Sequence, residues 1–172
     1  MFFWLYIIAL IFTFSFAYAC FRAAPWVPMH AKDVPRVMAL ARLSEGEVFF
    51  DLGAGDGRTI IAAAQAGAKA KGYEISLLPF FIAWGKILFS GQIKNSKMIF
   101  RDFWHVDLSR ADIIFVFLMP KIRERLKEKI EREMKPGSRI ITYVWPMIGW
   151  EADQIDVVEG RPKIYSYSIK GS

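Results

Sequence analysis

From Met1 to Phe21 the chain reads MFFWLYIIALIFTFSFAYACF, and Arg22 is the first charged side chain. As a helix this run spans about 30 Å at roughly 1.5 Å per residue, the thickness of a bilayer's hydrocarbon core. The pattern predicts a transmembrane anchor over residues 1–21. Ala17-Tyr18-Ala19 resembles a leader cleavage site, yet no Lys or Arg precedes the apolar run, as a signal peptide's first region would require. Arg22, Lys32, Arg36 and Arg42 follow the span and favour a single-pass membrane protein with the domain that follows on the cytoplasmic side.

Beyond a two-proline linker over residues 22–30, the periodicity becomes that of a globular domain over residues 31–172. Ala31 to Leu43 predicts a helix with Val34, Val37, Met38 and Ala41 on one face. Val48 to Leu52 reads as a buried strand, Thr59 to Ala66 as a helix, Lys69 to Glu74 as a second strand, and Leu77 to Phe89 as a second helix. That second helix is apolar almost all round, with Lys86 its one charge. A fully buried helix and a helix dipping one face, with Phe81 and Trp84, into a membrane interface both fit. Lys97 to Arg101 and Asp112 to Leu118 predict further strands. Lys121 to Met134 is amphipathic, with Ile122, Leu126, Ile130 and Met134 on one stripe. Pro136-Gly137 ends it before a strand from Arg139 to Val144. Ile155 to Val158 and Lys163 to Ile169 flank a Gly-Arg-Pro turn. Strands alternating with helices and closed by a hairpin predict an α/β fold, mostly parallel with a C-terminal antiparallel hairpin.

Composition narrows the function classes. Of 172 residues, 54% are hydrophobic, and the excess lies at the front, so the net charge of +6 belongs to the domain. A basic domain behind an anchor faces the lipid bilayer most simply. No block of basic residues interleaved with aromatics points to nucleic acid, so none is expected as a partner. One cysteine and two histidines exclude a disulfide framework and argue against any metal site.

The most informative stretch is FFDLGAGDGR, Phe49 to Arg58, at the end of the first strand. Ligands of open α/β sheets bind beyond the carboxyl ends of strands. The phosphate-loop pattern needs a Gly-Lys-Ser/Thr ending, which is missing. The dinucleotide pattern needs G-x-G-x-x-G, whereas Gly53, Gly55 and Gly57 are spaced two and two. Asp51 and Asp56 put negative charge where a pyrophosphate would lie. A cationic ligand without phosphates fits better.

This stretch resembles motif I of the class I S-adenosylmethionine-dependent methyltransferases, and the resemblance implies a compact Rossmann-like sheet with S-adenosyl-L-methionine as cofactor. It implies that Asp51 meets the cofactor's amino-acid end and that Gly53 and Gly55, with Asp56, form the turn against it. Glu74, 23 residues after Asp51, matches the acid that holds the ribose hydroxyls. Asp102 and Phe103 match the carboxylate at the adenine amino group and the apolar cover of the ring. Each acid also has a plainer reading, as turn former, surface charge or helix cap.

RDFWHVDLSRAD, FLMPKIRERLKEKIEREMKPGSRI, TYVWPMIGW and KIYSYSI, with the apolar N-terminus, resemble a narrower family. It comprises the membrane-anchored protein-lysine methyltransferases that act on the adenine nucleotide translocase and on the c-ring protein of ATP synthase. The resemblance implies N-methylation of a surface lysine on a membrane protein. Phe115, Phe117 and Leu118 to Pro120 follow the fourth strand, where the acceptor lies in class I enzymes. An apolar wall there keeps an amine neutral. Phe117 and Trp145 are the candidate catalytic, acceptor-positioning residues. Core packing remains open for Phe115 and Phe117, as does closure of the sheet's end for Trp145 and Trp150. The lack of an Asn-Pro-Pro-Tyr type motif argues against adenine or glutamine as acceptor. His30, Arg58 and His105 receive no role. Methylation of a membrane lipid or quinone, or an inactive cofactor-binding membrane adaptor, are the alternatives.

Overall fold

The computed structural model describes residues 2–22 and 27–171; of residues 16 and 19–22 it describes the backbone alone. Part of the expected linker, residues 23–26, therefore lies outside the described residues. Helix α1 runs Phe2–Arg22, α2 Val34–Ala41, α3 Arg58–Gln65, α4 Leu77–Phe89 and α5 Arg123–Glu133. The strands are β1 Val48–Leu52, β2 Lys69–Glu74, β3 Ser96–Phe100, β4 Ile113–Val116, β5 Arg139–Tyr143, β6 Gln154–Asp156 and β7 Ile164–Ser168.

They form one sheet in the order β3-β2-β1-β4-β5-β7-β6. β1 to β5 are parallel, while β7 lies antiparallel to both β5 and β6. The mostly parallel sheet with an antiparallel C-terminal part is thus as expected. Parallel neighbours need crossovers, and the helices of those crossovers cover the sheet. On one face Val37 and Leu40 of α2, Ile60 and Ala63 of α3 and Ala83 and Ile87 of α4 pack on Phe49, Ile113 and Ile141. On the other, Leu126 and Ile130 of α5 pack with Trp104 and Leu108 on Phe50, Ile114 and Ile140. Between β3 and β4 the chain makes only a short turn of 3-10 helix, Phe103–His105. Among the described residues no α-helix covers β2 and β3 on the α5 face, where the 3-10 turn packs Phe103 and Trp104 beside Tyr73.

Two expectations are corrected. Among the described residues no helix is long and apolar enough to cross a membrane, which overturns the single-pass anchor and the cytoplasmic placement built on it. α1 is tied to the domain instead: Ser15 Oγ accepts the Leu77 N–H at 2.9 Å, at the first residue of α4. α4 is not fully buried either. Pro79, Ala83 and Ile87, four residues apart, face the sheet, while Leu78, Phe81 and Trp84 are exposed. Hydropathy alone does not choose that face; the small Ala83, fitted against Gly57, sets it.

Candidate active site

β1 and β4 are adjacent, and the order of crossovers reverses between them, which opens a crevice at their carboxyl ends. β1 delivers Asp51 to it and β2 delivers Glu74. Gly53, Gly55 and Gly57 then take positive φ values of 93°, 53° and 75°, which glycine adopts without Cβ strain. Gly57 is the N-cap of α3, and a Cβ there would lie 2.9 Å from the Ala83 Cβ. The turn is pinned to β2 by the Gly53 and Ala54 N–H groups, which donate to the Tyr73 carbonyl at 2.9 and 3.0 Å.

The result is a cleft of about 370 Å³. Asp51, Gly53, Gly55, Asp56, Glu74, Asp102, Phe103, Phe117 and Trp145, all singled out in the sequence, line it together. His30 and His105 do not, and both are exposed. Trp150 also lies elsewhere. It packs edge-on to Tyr167 and its indole N–H donates to Glu131, so it closes the sheet's end.

The acids differ in their surroundings. Asp51 is 2% exposed and accepts the Thr59 hydroxyl. Burial, opposed by that hydrogen bond and reinforced by Glu74 and Asp56, pushes its pKa up to about 7. Burial also works against ionised Asp56, but hydrogen bonds and charge from Arg58 and Lys86 outweigh it and hold the carboxyl at about 2. Glu74 Oε2 accepts the Gly55 N–H at 2.9 Å, and its Oε1 accepts the Ile75 and Ser76 N–H groups at 2.8 and 2.7 Å. Neither Asp51 nor Glu74 has a cationic partner among the described residues. Asp102 caps the following turn through the Trp104 N–H at 3.0 Å and faces the cleft as well.

Arg58, to which the sequence alone assigns no role, is a clamp. It donates to both oxygens of Asp56 and to the Met29 carbonyl. Met29, Pro28 and Val27 thereby form a wall of the cleft. A second clamp holds the same segment from β5. The Tyr143 hydroxyl donates to buried Asp33 at 2.7 Å, and the His30 N–H reaches that hydroxyl. Arg36 and Arg161 also pair with Asp33, at 2.8 and 3.2 Å. The Arg58–Met29 and Tyr143–Asp33 contacts join positions 29 and 110 residues apart, and no local motif announces them.

The opposite end of the cleft is apolar. Phe115 is buried in the core and still lines it; Phe117, beyond β4, packs edge-on to Tyr143 at 4.8 Å. Val144 sits at φ 73°, a strained value for a β-branched residue. This kink ends β5 and turns Trp145 to the cleft mouth, under the Arg123 guanidinium at 6.0 Å.

Residues 51–154 match the family described as the ANTKMT methyltransferase domain. The match spans more than half of the chain, across the glycine turn, all three strand-end acids and Trp145. This chain belongs to that methyltransferase family. The methyltransferase is 35% identical over 150 residues to a protein-lysine N-methyltransferase of Saccharolobus islandicus, covering 84% of this chain and 93% of the relative. It is 30% identical to two longer relatives, the human lysine N-methyltransferase of the ATP synthase c-ring protein and the mouse adenine nucleotide translocase lysine N-methyltransferase. It spans 60% and 64% of those two chains, and 83% and 86% of its own length is matched. Among solved structures, it superposes with a TM-score of 0.81 and 28% identity on an RNA methyltransferase from Salinibacter ruber in complex with S-adenosyl-L-homocysteine. That likeness covers 85% of this chain and 95% of the other.

Proposed function

We propose that this methyltransferase moves a methyl group from S-adenosylmethionine to the side-chain amine of a lysine in a protein, one presented from a membrane-associated surface. The observation that carries the reading is the pair Asp51 and Glu74. Two carboxyl groups without cationic partners among the described residues face one cleft whose opposite end is apolar. A ligand that is cationic at one end and has hydroxyls along its length fits that donor set, and a pyrophosphate does not. Asp51 would hold the amino-acid end. Glu74, whose Oε2 accepts one backbone N–H and so keeps acceptor capacity, would accept the ribose hydroxyls. Asp102 and Phe103 would meet the base, and the Gly53–Gly55 turn would let the backbone approach.

When bound, the cofactor supplies an electrophilic methyl on a sulfonium. The residues of the chain position and desolvate. Phe117, Leu118, Met119 and Trp145 wall the acceptor end with apolar surface, which favours the uncharged amine by lowering its pKa. Alignment of amine and methyl supplies much of the acceleration in such a displacement. The exposed Leu78 and Phe81 at the start of α4 support an acceptor protein with an apolar surface. The named acceptors of the human and mouse relatives support the same class.

Calorimetric titration with S-adenosylhomocysteine tests the cofactor assignment. Glu74→Ala should weaken binding by at least about tenfold, the loss of a charge-assisted contact. Unchanged affinity in both Glu74→Ala and Asp51→Ala would sink it.

A further inference from the structure

At the amino ends of β2 and β3, away from the cleft, Lys71 and Lys97 are directly opposed across the strand pair. Lys69 stands two residues before Lys71 and shares its face. That is the face of Phe50, whose ring lies 5.6 Å from the Lys71 ammonium, and no α-helix among the described residues covers it. Like charges directly opposite on neighbouring strands destabilise a sheet. None of these three lysines has a carboxylate partner among the described residues. Beside them is a second anomaly. Ser96, the first residue of β3, is 7% exposed, and its hydroxyl has no hydrogen-bond partner among the described residues.

These residues line a cleft of about 490 Å³ whose other wall is apolar, formed by Trp84 and Leu88 of α4. β3 is the edge of the sheet, where strand backbone is open to pairing with another chain. One edge lysine would suffice to discourage aggregation. A directly opposed lysine pair with Lys69 and Lys94 in the same groove exceeds that need.

We propose that this edge is a docking groove for an extended acidic segment of a partner protein. The segment adds alongside β3, its carboxylates toward Lys69, Lys71 and Lys97 and its alternate, apolar side chains toward Trp84 and Leu88. The two-residue alternation of an extended chain matches the two faces of the edge. Nucleic acid fits less well, because the groove offers a single exposed ring, Trp84, where successive bases of a strand need several to stack on. The groove lies at the opposite ends of the strands from the cofactor cleft, so docking stands independently of methyl transfer.

The test is fluorescence anisotropy of the full chain without cofactor, using a labelled peptide of alternating Glu and Val, a Lys-Val peptide and a single-stranded oligothymidylate. The Glu-Val peptide should bind, more weakly as salt rises, and K71E/K97E should lose about tenfold or more in affinity. Equal binding by K71E/K97E, or no Glu-Val binding, overturns the proposal. Tighter binding of the oligothymidylate through the same lysines also overturns it, in favour of a nucleic-acid surface.

Discussion

Asp51 and Asp56 lie on one turn, yet their protons behave in opposite ways. Asp51 has its pKa raised to about 7, mainly by burial, against about 4 in an unfolded chain. Its contribution to the stability of the cofactor-free protein is therefore full below about pH 4 and is lost as pH rises through about 7. Asp56, held at about 2 by Arg58 and Lys86, contributes stability above about pH 4 that is lost as pH falls toward about 2. Thermal melts of the cofactor-free protein should thus show a midpoint that declines between about pH 5 and pH 7.5, and Asp51→Asn should flatten that decline. A wild-type midpoint constant over the window would contradict the placement of Asp51. The same carboxyl predicts tighter S-adenosylhomocysteine binding as pH rises from about 6 to 8, by up to about tenfold. Calorimetry on Asp51→Asn should find that dependence gone.

At the scale of elements, two junctions hold the cleft. Gly57 lets β1 turn into α3 while α4 passes against it, so Gly57→Ala introduces both an unfavourable φ of 75° and a contact of 2.9 Å with Ala83. Urea unfolding should show a loss of about 2 kcal/mol or more; a neutral result would contradict the close approach. Tyr143 joins β5 to the segment before α2. Tyr143→Phe should cost about 1.5–3 kcal/mol, the range for a lost hydrogen bond to a charged group. It should also weaken cofactor binding, because Met29 and Pro28 line the cleft. The elements themselves are largely legible in the sequence. β1, β2 and α4 begin and end where the pattern puts them, since period-two and all-apolar runs bounded by glycine or serine leave little choice. α2 is shorter than its periodicity suggests: its start is a 3-10 turn ahead of Pro35, and Arg42 ends it in a left-handed conformation at φ 47°. The helix expected from Lys121 likewise opens with a 3-10 turn at Pro120–Ile122. Which face of α4 meets the sheet is not legible, because hydropathy is nearly uniform around it.

For the molecule as a whole, the strand-end acids are readable because each follows a strand, and strand order in this fold brings those ends together. The clamps are not. Arg58 to Met29 and Tyr143 to Asp33 depend on where distant segments meet, and single residues of those types occur everywhere. Hydropathy reads the N-terminal run as a membrane span, whereas the structure docks it through Ser15 on the start of α4. The uncovered lysine face follows from the lack of an α-helix between β3 and β4; what lies exposed there shows only once the sheet is assembled. The clamps help shape a cleft that is acidic at one end and apolar at the other, which is the arrangement expected for methyl transfer to an amine. The decisive measurement is incubation of the full chain with methyl-labelled S-adenosylmethionine and a cell extract containing its membranes, followed by complete hydrolysis and amino-acid analysis. Label should appear in protein as methylated lysine and be abolished by Glu74→Ala. Label confined to lipid or RNA, or in protein on a residue other than lysine, would contradict lysine as the acceptor.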